Sequence, residues 1–115
     1  MLLKKMSKLI SYTTLDFQTD AHLKLYLKYF EERDKDTKVT KSLKEAGLLR
    51  RTVSQVWNAK DVHRLGLYFE YKDEKSYQNV QVLIKKFLDN PETKVFLENA
   101  KMSSSRSIII YDKVF

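Results

Sequence analysis

The stretch Val39-Thr-Lys-Ser-Leu-Lys-Glu-Ala-Gly47-Leu-Leu-Arg-Arg-Thr-Val53-Ser-Gln-Val56-Trp-Asn-Ala59 governs the reading of the whole chain, because it holds one of only two glycines. Before that glycine, Val39, Leu43 and Ala46 share one face of a helix expected from about Lys38 to Ala46. Gly47 then stands where a left-handed residue closes such a helix. After it, a longer helix is expected from near Arg51 to about Leu65, stopped by Gly66. Val53, Val56 and Trp57 would be its packing side, with Trp57 and Val53 buried against the two helices before it. Arg51, Ser54, Gln55, Asn58 and Asp61 recur at i, i+3, i+4, i+7 and i+10, one continuous polar stripe on the other side.

Working outward, Lys8 to Phe17 is rich in β-formers and reads as a first strand. Thr19 or Asp20 can cap a helix to about Arg33, whose buried stripe would be Leu23, Tyr26, Leu27 and Phe30. Glu31 to Asp36 is a charged connection. Beyond Gly66 the period changes to two, with Leu67, Phe69 and Tyr71 alternating with polar neighbours as in a strand. Helical spacing returns from Lys75 to Leu88 through Tyr77, Val80, Ile84 and Phe87. Asn90-Pro91 supplies an N-cap followed by proline at the first helical position, opening a helix to about Ala100. Ser103 to Ser105 reads as a loop and Ser107 to Phe115 as a closing strand, apolar on both faces at Ile108 to Tyr111. The expected order is β-α-α-α-β-α-α-β, an α+β fold in one small domain over residues 1–115.

Composition narrows the class. With 115 residues, two Gly and one Pro, the chain is one domain's length with short connections, and long-linker or disordered readings fail. No cysteine is present, which removes disulfides, thiol nucleophiles and thiolate metal sites. The formal charge is +7, and it is uneven. Lys38 to Lys60 holds six basic residues and one acid, whereas residues 61–115 hold nine basic and eight acidic side chains. The amino-terminal stretch around Lys4, Lys5 and Lys8 interleaves charge with apolar residues, unlike a secretory signal. Its lack of acids matches a transit peptide, but Leu9 to Phe17 reads better as a strand. A cytoplasmic protein with no membrane span is expected.

The central segment resembles a helix-turn-helix over residues 38–62. Val53 and Val56 stand six and nine residues after Gly47, the spacing of that family's apolar anchors, and Leu48 supplies the apolar residue after the turn. Leu43 and Ser42 depart from its pattern, which has a small residue and an apolar one there. The resemblance implies a helix-turn-helix-like three-helix unit with two further helices and a small sheet. It also implies a non-enzymatic regulator of transcription or replication, with double-stranded DNA as partner. Arg51, Ser54, Gln55 and Asn58 would read bases, with Leu49 and Arg50 at the start of that helix. Lys41, Lys44, Arg50 and Lys60 would meet phosphates. The elements after Gly66 would extend the core or serve a homodimer. Two core helices joined by a glycine turn remain the plain alternative, and an acidic protein partner or RNA would suit the same basic face.

Catalysis and cofactors find no pattern. His22 and His63 lie 41 residues apart without adjacent carboxylates and read as surface residues. No phosphate-cradling glycine loop and no metal-ligand spacing occurs, so no cofactor and no metal is expected. The aromatic residues read as core, and Glu31-Glu32 and Asp73-Glu74 as solvated charges.

Overall fold

The computed structural model describes residues 8–115. The targeting signals weighed at Lys4 and Lys5 lie outside the described residues. The elements are β1 (Leu9–Phe17), α1 (Asp20–Asp34), α2 (Thr37–Ala46), β2 (Leu48–Gln55), β3 (His63–Tyr71), α3 (Glu74–Asp89), α4 (Pro91–Leu97) and β4 (Ala100–Ile108). The strands form one antiparallel sheet in the order β2-β3-β1-β4. After each central strand, β1 or β3, a helical pair thus crosses one face of the sheet to the edge strand on its far side, β2 or β4.

Local chemistry sets the helix ends. Thr19 Oγ1 accepts from the His22 amide at 3.1 Å, Asp36 from Lys38 at 2.9 Å, Asp73 from Ser76 at 2.7 Å and Asn90 from Glu92 at 2.9 Å. Each satisfies an amide that a helix start leaves unpaired. Asp73, which reads in the sequence as a solvated loop charge, is therefore a cap. Gly47 ends α2 at φ 105°, and a Cβ there would stand 2.1 Å from Ser76 Oγ. Both backbone and space demand glycine.

No helix-turn-helix unit forms. α2 and its glycine stop are as expected, but the segment read as a third helix is β2, a connection at 56–62, and the start of β3. The observed order is β-α-α-β-β-α-α-β. Val53 and Val56 do fit helical spacing, yet β3 offers an open edge, and β2 fills it from Leu48↔Tyr71 to Gln55↔Leu65. Long-range pairing of a stretch holding the β-branched Thr52 and Val53 overrides the local period. Gly66 is no helix stop. It sits mid-strand, where an added Cβ would meet Tyr12 Oη at 2.7 Å and Ser54 Oγ at 3.0 Å. Trp57, expected in the core, is 90% exposed in the connection.

The last strand is also displaced from its expected place. The serines read as a loop lie in β4, opposite Tyr12, Thr13 and Thr14. Beyond Ile108 the chain leaves the sheet, and Ile110, Tyr111, Val114 and Phe115 are exposed instead of covered on both sides.

Alternation divides the sheet into two faces. Toward the helices point Leu9, Ser11, Thr13, Leu15 and Phe17 of β1, matched by Tyr71, Phe69, Leu67 and Leu65 of β3. Two packed clusters result. One joins Leu15, Phe17, Leu65 and Leu67 to Leu23, Tyr26 and Tyr29 of α1, and the other joins Tyr71 to Leu43 and Val80. Tyr29 also ties α1 to α4, through a 2.5 Å hydroxyl contact with Thr93 and a ring stacked on Phe96 at 4.4 Å.

Candidate functional site

Between the two clusters the sheet and helices do not close. A cavity of about 690 Å³ lies there, large enough for a multi-ring organic molecule. Its sheet wall is the middle of β1 and β3, with Ser11, Thr13, Leu67 and Phe69, flanked by Arg51 of β2 and by Met102, Ser104 and Arg106 of β4. Its helical wall takes Tyr26, Phe30 and Arg33 from α1, Leu43 from α2, and Tyr77, Gln81, Ile84 and Phe87 from α3. Aromatic and aliphatic side chains supply most of the wall area, while hydroxyl, amide and charged side chains line parts of the sheet wall and the rim.

The deepest polar group is the Tyr71 hydroxyl. Tyr71 is fully buried, its Oη is 2.9 Å from Ser11 Oγ, and Gln81 Nε2 donates to it over 3.5 Å. Its ring meets Tyr77 edge to face at 5.1 Å. Burial pushes the phenol pKa above its ordinary value, against the opposing hydrogen bonds from Ser11 and Gln81, so Tyr71 is a neutral O–H near pH 7. The three residues form a relay that can offer a hydrogen bond to a guest without placing a charge in the cavity.

The rim is cationic. Arg51 pairs with Asp34 and lies over the Phe30 ring at 5.0 Å, so its charge is already met. Arg33 covers Phe87 at 5.8 Å and Arg106 covers Tyr77 at 5.3 Å. Lys38 and Lys86 complete the lining cations, and Asp34 is the one carboxylate among the lining residues.

The residues expected to read DNA are not gathered on one surface. Strand alternation places Arg51 and Gln55 on the helix side of β2 and Ser54 on the other, where its Oγ donates to Gly66 O at 3.3 Å. Asn58 and Lys60 are exposed in the 56–62 connection, where Asp61 takes a left-handed φ of 61°. Leu49 and Arg50 are exposed in β2; Lys41 and Lys44 are on α2, with Lys41 3.9 Å from Glu45. His22 Nδ1 lies 2.8 Å from Thr19 Oγ1 at the α1 cap, and His63 pairs with Phe17 in the sheet. Among the described residues no three His, Asp or Glu side chains gather as a metal site, and no helix is long and apolar enough to cross a membrane.

Sequence reading passed over Ser11, Tyr71, Tyr77, Gln81 and Arg106. One signal was there. The inward positions of β1 run Leu9, Ser11, Thr13, Leu15, Phe17, apolar at both ends and hydroxylic in the middle. A core-facing strand that turns polar at its centre faces something other than a packed helix.

Comparison with known proteins agrees with this fold. Residues 6–109 match a family described as a domain of unknown function, DUF6974. No curated protein matches the sequence. A dimeric ferredoxin-like protein from an uncultured marine organism is 30% identical with a TM-score of 0.85, over 93% of this chain and 99% of that one. A second dimeric ferredoxin-like protein from an uncultured marine organism is 25% identical with a TM-score of 0.84, over 95% and 93% of the two chains. A Streptomyces coelicolor monooxygenase, solved in complex with nanaomycin D, shares the fold at 13% identity and a TM-score of 0.62, covering 96% and 93%. These likenesses correct the expectation of a DNA-binding regulator of transcription or replication: the fold is that of ferredoxin-like proteins, and the supposed recognition helix is an edge strand.

Proposed function

We propose that this chain, which belongs to the DUF6974 family, binds a planar, largely apolar small molecule between its sheet and its helices. The observation that carries this reading is the cavity of about 690 Å³, ringed by Tyr26, Phe30, Phe69, Tyr77 and Phe87 with the Tyr71 relay at its floor. Mostly apolar walls with a few convergent polar groups are the usual make-up of a small-molecule site. Phenylnaphthylamine, a neutral fluorescent probe, should bind saturably with one site per chain. Ser104→Trp, which fills the cavity from an exposed edge strand, should abolish that binding with the melting temperature kept. Equal binding by Ser104→Trp and the parent would reject the cavity as the site.

A homodimer is part of the reading. Both ferredoxin-like relatives are dimeric. Among the described residues no element covers the other sheet face, where Tyr12 is 44% exposed opposite Tyr68, and the terminal Tyr111 and Phe115 are exposed as well. Light scattering should give twice the chain mass, and Tyr12→Glu should lower it toward one.

The relay supports a second reading, an enzyme acting on the bound molecule with Tyr71 passing a proton through Ser11. Tyr71→Phe should then retain binding of the natural ligand while mass spectrometry finds it unconverted.

A further inference from the structure

The cavity's rim has an imbalance that its apolar walls do not explain. Of the lining cations, Arg51 is neutralised by Asp34, while Arg33, Lys38, Lys86 and Arg106 have no carboxylate partner among the described residues. Arg106 is placed differently from the rest. It projects from the inward face of β4 directly across from Ser11, the residue that hydrogen-bonds Tyr71. Its guanidinium lies over the Tyr77 ring at 5.3 Å, and Tyr77 in turn packs on Tyr71. That distance is within cation–π range, and the N–H donors of Arg106 make no hydrogen bond to any described residue. An arginine held beside a ring with its donors free can give a planar oxyanion two parallel hydrogen bonds.

From this arrangement, and resting on the small-molecule reading above, we infer that the ligand is an organic anion. Its aromatic body lies along Phe69 and Tyr77, and its carboxylate or sulfonate is held by Arg106 beside the Ser11–Tyr71 hydroxyls. A neutral ligand would leave four cations around an apolar cavity without use. An anion meets one of them in bidentate contact and the others through the field they sum, in a cleft whose apolar walls weaken screening. The Ser11 hydroxyl, when it accepts from the Tyr71 hydroxyl behind it, can donate to a further oxygen of the same anionic group.

Two probes with nearly the same body test this. Anilinonaphthalene sulfonate carries an anion that phenylnaphthylamine lacks. The parent protein should bind the sulfonate about tenfold more tightly or better, as expected for a charge-assisted bidentate contact. Arg106→Gln should remove that preference, weakening the sulfonate about tenfold and leaving the neutral probe within about twofold. Arg106→Lys should recover only part of the preference, because a point charge lacks the fork. Arg106 is exposed on an edge strand, so both variants should keep the parent melting temperature, which is measured alongside. Equal affinity for the two probes in the parent, or a preference that survives in Arg106→Gln, would overturn the anion inference while leaving the cavity reading standing. Failure of both probes to bind the parent would overturn both.

Discussion

The inward face of the two central strands is packed at its ends and hollow in its middle. At one end Leu15 and Leu65 close against Leu23, all at 1% exposure or less; at the other, Tyr71 closes against Val80 with neither exposed. Between them Ser11, Thr13, Leu67 and Phe69 face the cavity. The same two strands thus do different work along their length. The ends bury apolar surface, the main favourable contribution to folding, and the middle forgoes that contribution to keep a space. Stability should respond to changes at the ends and ligand binding to changes in the middle.

The largest effect expected is at the packed end. Leu23→Ala removes a fully buried side chain from the first cluster and should cost about 2 to 5 kcal/mol in a denaturant titration. A loss below about 1 kcal/mol would mean that the end repacks as freely as the middle, and the contrast would fail.

Tyr26 marks the boundary, belonging to the first cluster and lining the cavity. Burial pushes its phenol up to about 12, reinforced by Tyr29 and opposed by Arg51. The folded value lies above the unfolded one near 10, so the neutral phenol's contribution is fully present below pH 10 and is lost as pH rises toward 12. That is about 2 to 3 kcal/mol across the window. The stability of Tyr26→Phe should fall less over the same range. Parallel curves for the two proteins would place Tyr26 in contact with solvent rather than in the cluster.

Where the second packed end borders the cavity, a change confined to a polar group should affect stability less. Tyr71→Phe keeps the ring and removes the hydroxyl that meets Ser11 and Gln81. Water in the cavity can take its place, so the expected loss is about 1 kcal/mol. A loss as large as that of Leu23→Ala would make the relay a structural element and not a ligand-facing one.

What the sequence disclosed follows the same division between local and long-range causes. Thr19, Gly47 and Asn90-Pro91 act on their own neighbours, and they mark helix ends in the sequence as they do in the structure. β2 could not be read this way. Val53 and Val56 satisfy a helical period, and only the open edge of β3, a dozen residues later, makes that stretch a strand. The serines at 103 to 105 look like a loop until β1 is placed beside them, with Thr13 Oγ1 2.7 Å from Ser104 Oγ. The site was less legible than the fold because Ser11, Tyr71, Gln81 and Arg106 come from four separate elements, and no spacing in the chain links them. Arg51 was singled out as a base reader, and it does line the cavity, but its charge is taken by Asp34.

The smallest effect belongs to the sheet's other face and sharpens the contrast from outside. Asp16 and Arg64 stand directly opposite each other on β1 and β3, with Arg64 Nη2 donating to Asp16 Oδ2 at 3.0 Å. The hydrogen bond from Arg64 holds the Asp16 carboxyl below its ordinary value, helped by the charges of Arg64 and Lys101 and opposed by slight burial. A depressed folded value means that the pair's contribution is present above the unfolded carboxyl pKa near 3.9 and is lost as pH falls through the lower folded value. Both side chains are 40% exposed, so solvent screens the pair and its contribution is modest. Between pH 5 and pH 2 the parent should lose slightly more stability than Asp16→Asn, and the Asp16 carboxyl carbon should titrate below the unfolded value by NMR. The pair lies on the sheet face turned away from the cavity. Anilinonaphthalene sulfonate affinity in Asp16→Asn should therefore match the parent, and a change in that affinity would show that the two faces are coupled through the strands they share.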